Sequence, residues 1–318
     1  MNPAWAQARN ILVVRLDNLG DVLMSTPAIR AMKSHAPGVR ITLLGSRSGA
    51  AVAKHIPLID ETVVHDAPWV KGPAGDEAAE HRLIAELRSR AFDAAVIFTV
   101  CTQSALPAAL LCRLAGIPLR LAHCRENPYA LLTDWVPDTD VCQDRMRHEV
   151  RRQLDLVSAV GLQTSDERLV FVCGPGEADT MRRKLAAVGG DPARPLVVLH
   201  PGATAASRRY PPERFGQVAE QIVRESDCQV VFSGGPDELD LVARARAQMR
   251  APSLSLAGQL TLGELAALIG EAKALVCNNS GPAHMAAALG TPVVVLYALT
   301  NPQHTPWQVE ARVLNHEV

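Results

Sequence analysis

The chain has 318 residues, of which 48% are hydrophobic and 20% charged. This composition is typical of folded globular proteins and excludes a mainly disordered, collagen-like or coiled-coil chain. At about 150 residues per domain, the length predicts two domains. The 32 Lys and Arg residues balance the 33 Asp and Glu residues to a net charge of −1, which argues against a nucleic-acid-binding protein.

Membrane spans, secretion and disulfides find no support in the sequence. No run approaches the roughly 20 apolar residues that a membrane-spanning helix needs, and the opening MNPAWAQARN lacks the pattern of a secretory signal. The seven cysteines are widely spaced without a CxxC pair, which favours free thiols in a reducing compartment. We expect a cytoplasmic protein, with peripheral contact to a membrane left open.

The first half alternates apolar runs with amphipathic segments. Strands are predicted at 11–16, 39–45, 62–66 and 93–98, and helices at 22–35, 50–56, 77–90 and 104–116. Residues 118–124 lead out of the last helix, residues 125–145 are irregular, and a helix with a basic face is predicted at 146–161. Such alternation implies parallel strands joined by helical crossovers.

The second half repeats this rhythm. Helices are predicted at 179–190, 211–226, 238–249 and 261–272. Strands open the segments 195–203, 228–238, 274–290 and 291–299, and the third of these continues through a loop into another helix. We therefore predict an α/β fold with two doubly wound parallel-sheet domains, residues 1–165 and 166–318.

The loop LDNLGD, residues 16–21, directly follows the first strand and opens the first helix. Ligands of open α/β sheets bind at the carboxyl ends of the strands, and a helix N-terminus favours an ionised carboxylate. Asp21 is therefore a candidate for chemistry. The alternative is that Asp17, Asn18 or Asp21 only caps the helix.

The loop NNSGPAHMAAALG, residues 278–290, holds the equivalent position in the second half. Ser280 and Gly281 offer a hydroxyl and an open backbone at a helix N-terminus, where phosphate binds. Pro282 suits the first helical position, and His284 can donate to a phosphate oxygen. The alternative is a closely packed, Ala-rich helix with an incidental histidine.

Two further loops follow strands of the second half. In HPGATAASRRY, residues 200–210, Thr204, Arg208 and Arg209 can bind a diphosphate, unless the arginines form an ordinary surface pair. In SGGPDE, residues 233–238, Asp237 or Glu238 can accept hydrogen bonds from ribose hydroxyls. An ordinary turn with an acid that caps a helix is the alternative there.

Several catalytic patterns are missing from the sequence. It contains no GxxxxGK[ST], GxGxxG after the first strand, GxSxG or HExxH, which argues against P-loop, nicotinamide-dependent, α/β-hydrolase and zinc-protease chemistry. DTD at 138–140 formally matches a metal-binding DxD but lies in the irregular connector. We expect no metal and no cofactor.

These loops resemble those of glycosyltransferase family 9, the ADP-heptose:lipopolysaccharide heptosyltransferases. RLDNLGDVLMSTPAIRAM resembles the opening of the family, and HPGATAASRRYPPERF its HPGA…KRWPxERF segment. SGGPDE is similar to its Gly-Gly-x-x-Glu turn. NNSGPAHMAAALGTPVVVLYALTNPQHTPW resembles its DSGPxHLAAALGTP stretch, so the likeness spans residues 11–307.

The resemblance implies a GT-B architecture, with two Rossmann-like domains facing a cleft, and an inverting, metal-independent transfer of heptose from ADP-heptose. Asp21 matches the catalytic base. Ser280, Gly281, Pro282 and His284 match the diphosphate loop, Thr204 and Arg208 the phosphate contacts, and Asp237 or Glu238 the nucleoside contact. The neighbouring Arg209 and Asn279 are further candidates to bind the donor. The nucleotide-sugar is thus expected on the second domain and the acceptor on the first.

The acceptor side is less defined. Arg113, Arg120 and Arg125 are candidates to bind an anionic glycolipid such as a lipopolysaccharide core, with surface positions as the alternative. The basic run Arg145, Arg147, Arg151 and Arg152 suggests contact with the inner face of the cytoplasmic membrane, or a solvated helix face.

Three departures from the family pattern leave alternatives open. Arg208 replaces the usual Lys, Asn279 replaces the usual Asp and puts donor preference in question, and the sequence ends at LNHEV where family members commonly continue into a helix. The rival interpretations are a nucleotide-sugar epimerase or hydrolase of similar fold, and a non-catalytic family member that only binds the nucleotide-sugar.

Overall fold

The computed structural model describes residues 3–70, 76–141, 146–298 and 302–315. Two compact units divide between Leu169 and Val170, whereas the sequence places the division after residue 165. Each unit is built on a six-stranded sheet whose described strand pairs are all parallel. The predicted α/β class, with two Rossmann-like doubly wound domains, is confirmed.

The first unit carries its strands in the order β3-β2-β1-β4-β5-β6. The strands are β1 (Asn10–Arg15), β2 (Arg40–Gly45), β3 (Glu61–Val64), β4 (Ala94–Ile97), β5 (Leu119–Cys124) and β6 (Asp134–Pro137). The helices are α1 (Leu19–Ser34), α2 (Arg47–Ala53), α3 (Glu77–Ser89), α4 (Leu106–Leu114) and α5 (Glu149–Ser158). The strand order reverses between β1 and β4: strands β1 to β3 extend the sheet toward one edge, and strands β4 to β6 extend it toward the other. Open α/β sheets bind ligands at such a reversal point.

The second unit repeats this topology, in the order β12-β11-β10-β7-β8-β9. Its strands are β7 (Leu196–His200), β8 (Gln229–Phe232), β9 (Leu254–Ser255), β10 (Ala274–Asn278), β11 (Val293–Tyr297) and β12 (Ala311–Asn315). Its helices are α6 (Glu177–Ala187), α7 (Pro212–Glu225), α8 (Leu239–Arg246), α9 (Leu262–Glu271) and α10 (Gly281–Leu289). The corresponding reversal lies between β7 and β10.

The sequence interpretation lacks strands β5, β6, β9 and β12. β5 is fully buried, but its apolar run is interrupted by Arg120 and His123. β6 and β12 lie at sheet edges and are largely exposed, and β9 has two residues. Edge strands with one exposed side or little length do not produce the apolar runs by which buried strands are identified.

Helix α1 fixes the position of the LDNLGD loop. It buries Val22, Leu23 and Ile29 and packs against α2 and α5. Pro27 lies inside it and cannot donate to the carbonyl of Leu23, but the Thr26 hydroxyl donates to that oxygen at 2.6 Å. The helix therefore continues past the proline, with its first turn beside the carboxyl end of β1.

No helix in the described part of the chain has the length and apolar content needed to cross a membrane.

Candidate active site

Asp21 is the third residue of α1, at the carboxyl edge of the first sheet. Its Oδ2 accepts from the backbone N–H of Asn18 at 3.0 Å, and its Oδ1 accepts from Nη2 of Arg15 at 3.2 Å. The side chain is 14% exposed. The capping role that the sequence left open is therefore present, and the same carboxylate also faces a buried cation.

Arg15, the last residue of β1, is fully buried. Its Nε lies 3.3 Å from Oδ2 of Asp17, and its Nη1 lies 2.9 Å from Oε1 of the equally buried Glu149. Burial opposes the charge on Arg15, but the carboxylates of Asp17, Glu149 and Asp21 outweigh it and raise the pKa of the guanidinium. One guanidinium thus serves three carboxylates, two from the loop at 16–21 and one from α5.

Asp17 lies between two pockets at the same sheet edge. Its Oδ1 accepts from Nε2 of Gln103 at 2.8 Å, and burial raises the pKa of its carboxyl although Arg15 opposes this. A pocket of about 210 Å³ between the ends of β1 and β4 has Asp17, Gln103 and Trp69 in its wall. A second pocket, of about 440 Å³, adjoins Asn18 and the start of α2.

A third pocket, of about 490 Å³, lies at the end of β5 and has Gln103, His123, Arg125 and Asp138 in its wall. The Arg125 side chain is 40% exposed and lies 3.1 Å from Oδ2 of Asp138. It also donates to the carbonyls of Cys101 and Asp140. Burial and the charge of Arg152 lower the pKa of His123, which keeps its ring neutral.

Of the three arginines predicted to bind the acceptor, only Arg125 lies at this edge. Arg113 is at the C-terminal end of α4, and Arg120 is near the start of β5. These positions belong to the opposite edge of the sheet. The Arg120 side chain is buried and donates to the carbonyls of Leu131, Ala130, Ile117 and Pro118, so it fixes a loop.

Two members of the basic run are partly exposed and form ion pairs with acidic residues of the same unit. Arg147 pairs with Asp140 and Asp155 at 2.8 Å, and Arg151 pairs with Glu167 at 2.6 Å. The remaining two members are Arg152, which is buried, and Arg145, which lies outside the described residues.

The DTD carboxylates are engaged in these ion pairs. Asp138 lies 2.9 Å from Nη2 of Arg152, and Asp140 bonds Arg147. Burial opposes ionisation of Asp138, yet Arg152 and Arg125 lower its pKa. Within the described ranges, no group of three His, Cys, Asp or Glu side chains is arranged to hold a metal ion.

In the second unit, α10 begins where β10 ends, beside the reversal point of the sheet. Ser280 is the N-cap and its hydroxyl donates to the carbonyl of Asn278 at 3.1 Å. Gly281 is the first helical residue and Pro282 the second, one position later than expected. Asn279 is half-buried and His284 is 4% exposed.

The loop after β7 lies against this helix start through a residue that the sequence interpretation missed. Asn278 is fully buried; its Nδ2 donates to the carbonyl of Pro201 at 2.7 Å and its Oδ1 accepts from the N–H of Tyr210 at 3.0 Å. Thr204 and Arg208, between these two anchors, are exposed. Arg209 is half-buried and donates to the carbonyl of Ala203 at 2.8 Å.

Glu238 and Asp237 differ in their surroundings. Glu238 accepts from the N–H of Gly235 at 2.8 Å, and its carboxylate lies 3.5 Å from Nε2 of His200. It also occupies the space beside Gly202, where a Cβ would lie 2.0 Å from Oε1. Asp237 is exposed. Glu238 thus holds two loops together, and Asp237 is the acid that faces solvent.

The structure therefore gathers two sets of predicted residues. Asp21 and Arg125 lie at the carboxyl edge of the first sheet, and the residues of the two loops at 200–210 and 278–284 lie at that of the second. The buried partners Arg15 and Asn278 open two of the motifs quoted above but were given no role there, and Glu149 lies in no motif. The contacts Arg15–Glu149 and Asn278–Pro201 join segments far apart in the chain, so the sequence does not reveal them.

The family model of glycosyltransferase family 9 (heptosyltransferase) matches residues 80–317. The chain belongs to glycosyltransferase family 9. It is 27% identical over 305 residues to lipopolysaccharide heptosyltransferase 2 of Salmonella typhimurium, which covers 93% of this chain and 84% of the relative. As a member of this family it is a glycosyltransferase.

Solved structures agree with this assignment. The family 9 glycosyltransferase from Veillonella parvula aligns with a TM-score of 0.83 at 24% identity, and the alignment covers 97% of this chain and 86% of the Veillonella chain. The ADP-heptose lipopolysaccharide heptosyltransferase II of E. coli aligns with a TM-score of 0.76 at 25% identity, and the alignment covers 96% of this chain and 90% of the E. coli chain. The resemblance predicted from the loop motifs is confirmed.

Proposed function

We propose that this glycosyltransferase transfers heptose from ADP-heptose to a lipopolysaccharide-core or related anionic glycolipid, with inversion and without a metal ion. The observation that carries this proposal is Asp21, a partly exposed carboxylate at the carboxyl edge of the first sheet, held from two sides by Arg15 and the Asn18 N–H. The names of the relatives, which specify heptose, ADP-heptose and lipopolysaccharide, support the choice of substrates.

In the proposed reaction the hydroxyl oxygen of the acceptor attacks the anomeric carbon of the heptose, and the bond from that carbon to ADP breaks. Asp21 takes the hydroxyl proton as the new bond forms. A single displacement places the new bond on the opposite face of the sugar from ADP. The two oxygens of Asp21 are already oriented, so little rearrangement is required before the proton moves.

The diphosphate of ADP is assigned to the start of α10 and to the loop after β7. The first-turn N–H groups of a helix have no partner within the helix and attract anions. Ser280 and Gly281 bring such groups to the sheet edge, and the exposed Thr204 and Arg208 add a hydroxyl and a charge. We propose that this positive end of α10 stabilises the charge that grows on the departing ADP.

The rest of the donor is assigned to residues near these two loops. Arg209 supports the phosphate-binding loop through its bond to Ala203. Asn279, just before α10, and His284, in its first turn, are the candidates to contact the sugar. Asp237 is the candidate for the ribose hydroxyls because it is exposed, whereas Glu238 is already bonded to Gly235.

The acceptor is assigned to the pockets around Asp17 and Arg125. Arg125 is the only one of the three arginine candidates on the edge that carries Asp21, and its partly exposed guanidinium can bind a phosphate or carboxylate of the acceptor. An acceptor with a lipid anchor would bring the enzyme to the inner face of the cytoplasmic membrane.

A donor-and-acceptor screen by mass spectrometry tests the proposal. We expect a mass increase of one heptose on a lipopolysaccharide-core acceptor, released ADP, and no loss of turnover on addition of EDTA. Free heptose or an epimer formed without an acceptor would indicate the epimerase or hydrolase. ADP binding without transfer to any acceptor would indicate a non-catalytic binder, and EDTA-sensitive turnover restored by manganese would overturn the metal-free mechanism.

A further inference from the structure

Glu149 is the most deeply placed of the carboxylates around Arg15. It is the first residue of α5 and 134 residues away in the chain, yet its Oε1 lies 2.9 Å from Nη1 of Arg15 with both side chains at 0% exposure. A buried ion pair stabilises a fold less than its short distance suggests, because both charges lose their hydration. Stability alone therefore does not explain why a fully buried ion pair lies beside the proposed base.

The guanidinium is planar, so a bond to one nitrogen fixes the direction of the others. Nη1 bonds Glu149, Nη2 bonds Asp21 and Nε faces Asp17. Glu149 is itself held in place, because Nε2 of Gln153 donates to its Oε1 at 2.9 Å and the start of α5 favours a negative charge. The position of Glu149 thus sets the direction from which Nη2 reaches Asp21.

The charges around this group are unequal. Arg15 faces the carboxylates of Asp17, Asp21 and Glu149. From α5, Arg152 approaches Oε1 of Glu149 only to 3.9 Å, and its closer partner is Asp138 at 2.9 Å.

Helix α2 also packs on α1. Helix α2 begins with Arg47, whose exposed guanidinium pairs with Asp66 at 3.4 Å. Asp21 therefore receives only part of the charge of Arg15.

We propose that Glu149 is a positioning residue for the transfer reaction. It aims Nη2 of Arg15 at Asp21 and takes up enough of the positive charge for Asp21 to stay basic. Without that negative charge, Arg15 would act more strongly on Asp21 and make its carboxylate a weaker base. The inference rests on the proposed function, in which Asp21 accepts the proton of the acceptor hydroxyl.

The test is Glu149→Gln, which keeps the size of the side chain and removes its charge. We expect the acidic limb of the kcat–pH profile to move down by about one pH unit, since a charge a few ångströms away shifts a carboxyl pKa by that order. The plateau kcat should fall several-fold because a weaker base takes the proton less readily. The KM for ADP-heptose should stay within about twofold, because the donor is assigned to the other unit.

Glu264→Gln is the matched control. Glu264 is also a buried carboxylate in the first turn of a helix, pairs with Lys184 at 2.6 Å, and belongs to the second unit. Its replacement should lower the melting temperature without moving the acidic limb. Equal losses of melting temperature in the two variants with unshifted limbs in both would overturn the proposal, because Glu149 would then be only structural.

If the Glu149→Gln variant does not fold, Glu149→Asp tests the positioning role instead. It retains the charge but draws the carboxylate away from Arg15, so we expect a smaller shift of the limb in the same direction; a limb at the wild-type position would contradict the proposal.

The Asp21→Asn variant separates the proposed base from the proposed positioning residue. If it transfers heptose normally, the proposed base is wrong, whereas an inactive Asp21→Asn with an unshifted Glu149→Gln refutes only the role of Glu149.

Discussion

The side-chain amide of Asn278 donates to the carbonyl of Pro201 at 2.7 Å and thereby joins the end of β10 to the loop after β7. The same side chain accepts from Tyr210, so one buried residue spans both ends of the loop that carries Thr204 and Arg208. Two loops at the reversal point of the second sheet are thus held at a fixed separation by one side chain.

Replacement of Asn278 by Ala should therefore destabilise the second unit. It leaves the buried carbonyl of Pro201 and the partly buried N–H of Tyr210 without this partner. An unsatisfied buried polar group costs about 1–3 kcal/mol. We expect a loss of about 2–4 kcal/mol in urea unfolding and about tenfold weaker ADP binding by calorimetry. Asn279→Ala, one residue later and half-buried, is the control; equal stability of the two variants would show that the bridge contributes nothing.

Gly202 is expected to be sensitive to any side chain. A Cβ there would lie 2.0 Å from Oε1 of Glu238 and would displace that carboxylate from Gly235 and His200. Because the obstructing atom ends a flexible side chain, Gly202→Ala should cost about 1–2 kcal/mol in the free energy of unfolding.

A double-mutant cycle identifies the cause of that cost. In a Glu238→Ala background the obstruction is gone, so Gly202→Ala should cost much less. Gly270→Ala, which places a Cβ in open space in α9, is the control for the change itself. The same cost in both backgrounds would mean that Glu238 is not the obstacle.

The stability of the fold should fall as the pH is lowered below neutrality. Burial lowers the pKa of His200, although Glu238 opposes this, so the folded state keeps the ring neutral while the unfolded state gains a proton below about pH 6.5. This contribution is fully present above the unfolded pKa. It is lost by about 1.4 kcal/mol for each pH unit between the unfolded and the folded pKa.

Urea unfolding at pH 7.5 and pH 5.5 measures this effect. The wild type should lose more stability between the two pH values than His200→Asn, which lacks the titrating group but can still bond Ser233, the partner of His200 at 3.1 Å. His123, also buried with a lowered pKa, contributes equally in both proteins and cancels from the comparison. Equal losses in the two proteins would show that His200 has an ordinary pKa when folded.

The sequence was sufficient for the architecture because parallel strands buried on both faces appear as apolar runs, of which ILVVRL and PLVVLH are examples. It missed the edge strands β6 and β12, which expose alternate or most residues. It also missed the strand β5, because a buried strand that contains Arg120 and His123 does not look apolar.

The site was predictable to the extent that it lies in short motifs. Asp21, Ser280 and Arg208 belong to loops that directly follow strands, so their place at the sheet edge follows from the chain order. The contacts of their partners do not follow from the chain order, because Arg15 and Glu149 come together only through the packing of α5 on α1. Arg120 was misjudged for the same reason, since its position at the start of β5 depends on where an unrecognised strand begins.

The Asp21→Asn variant tests most directly whether Asp21 removes the acceptor proton. An asparagine can still accept from the Asn18 N–H, so the start of α1 should be retained while the basic oxygen is lost. Transfer of heptose, followed by mass spectrometry, should fall by about 10²–10⁴-fold, with ADP affinity by calorimetry within about twofold of wild type. Wild-type transfer rates in this variant would rule out Asp21 as the base.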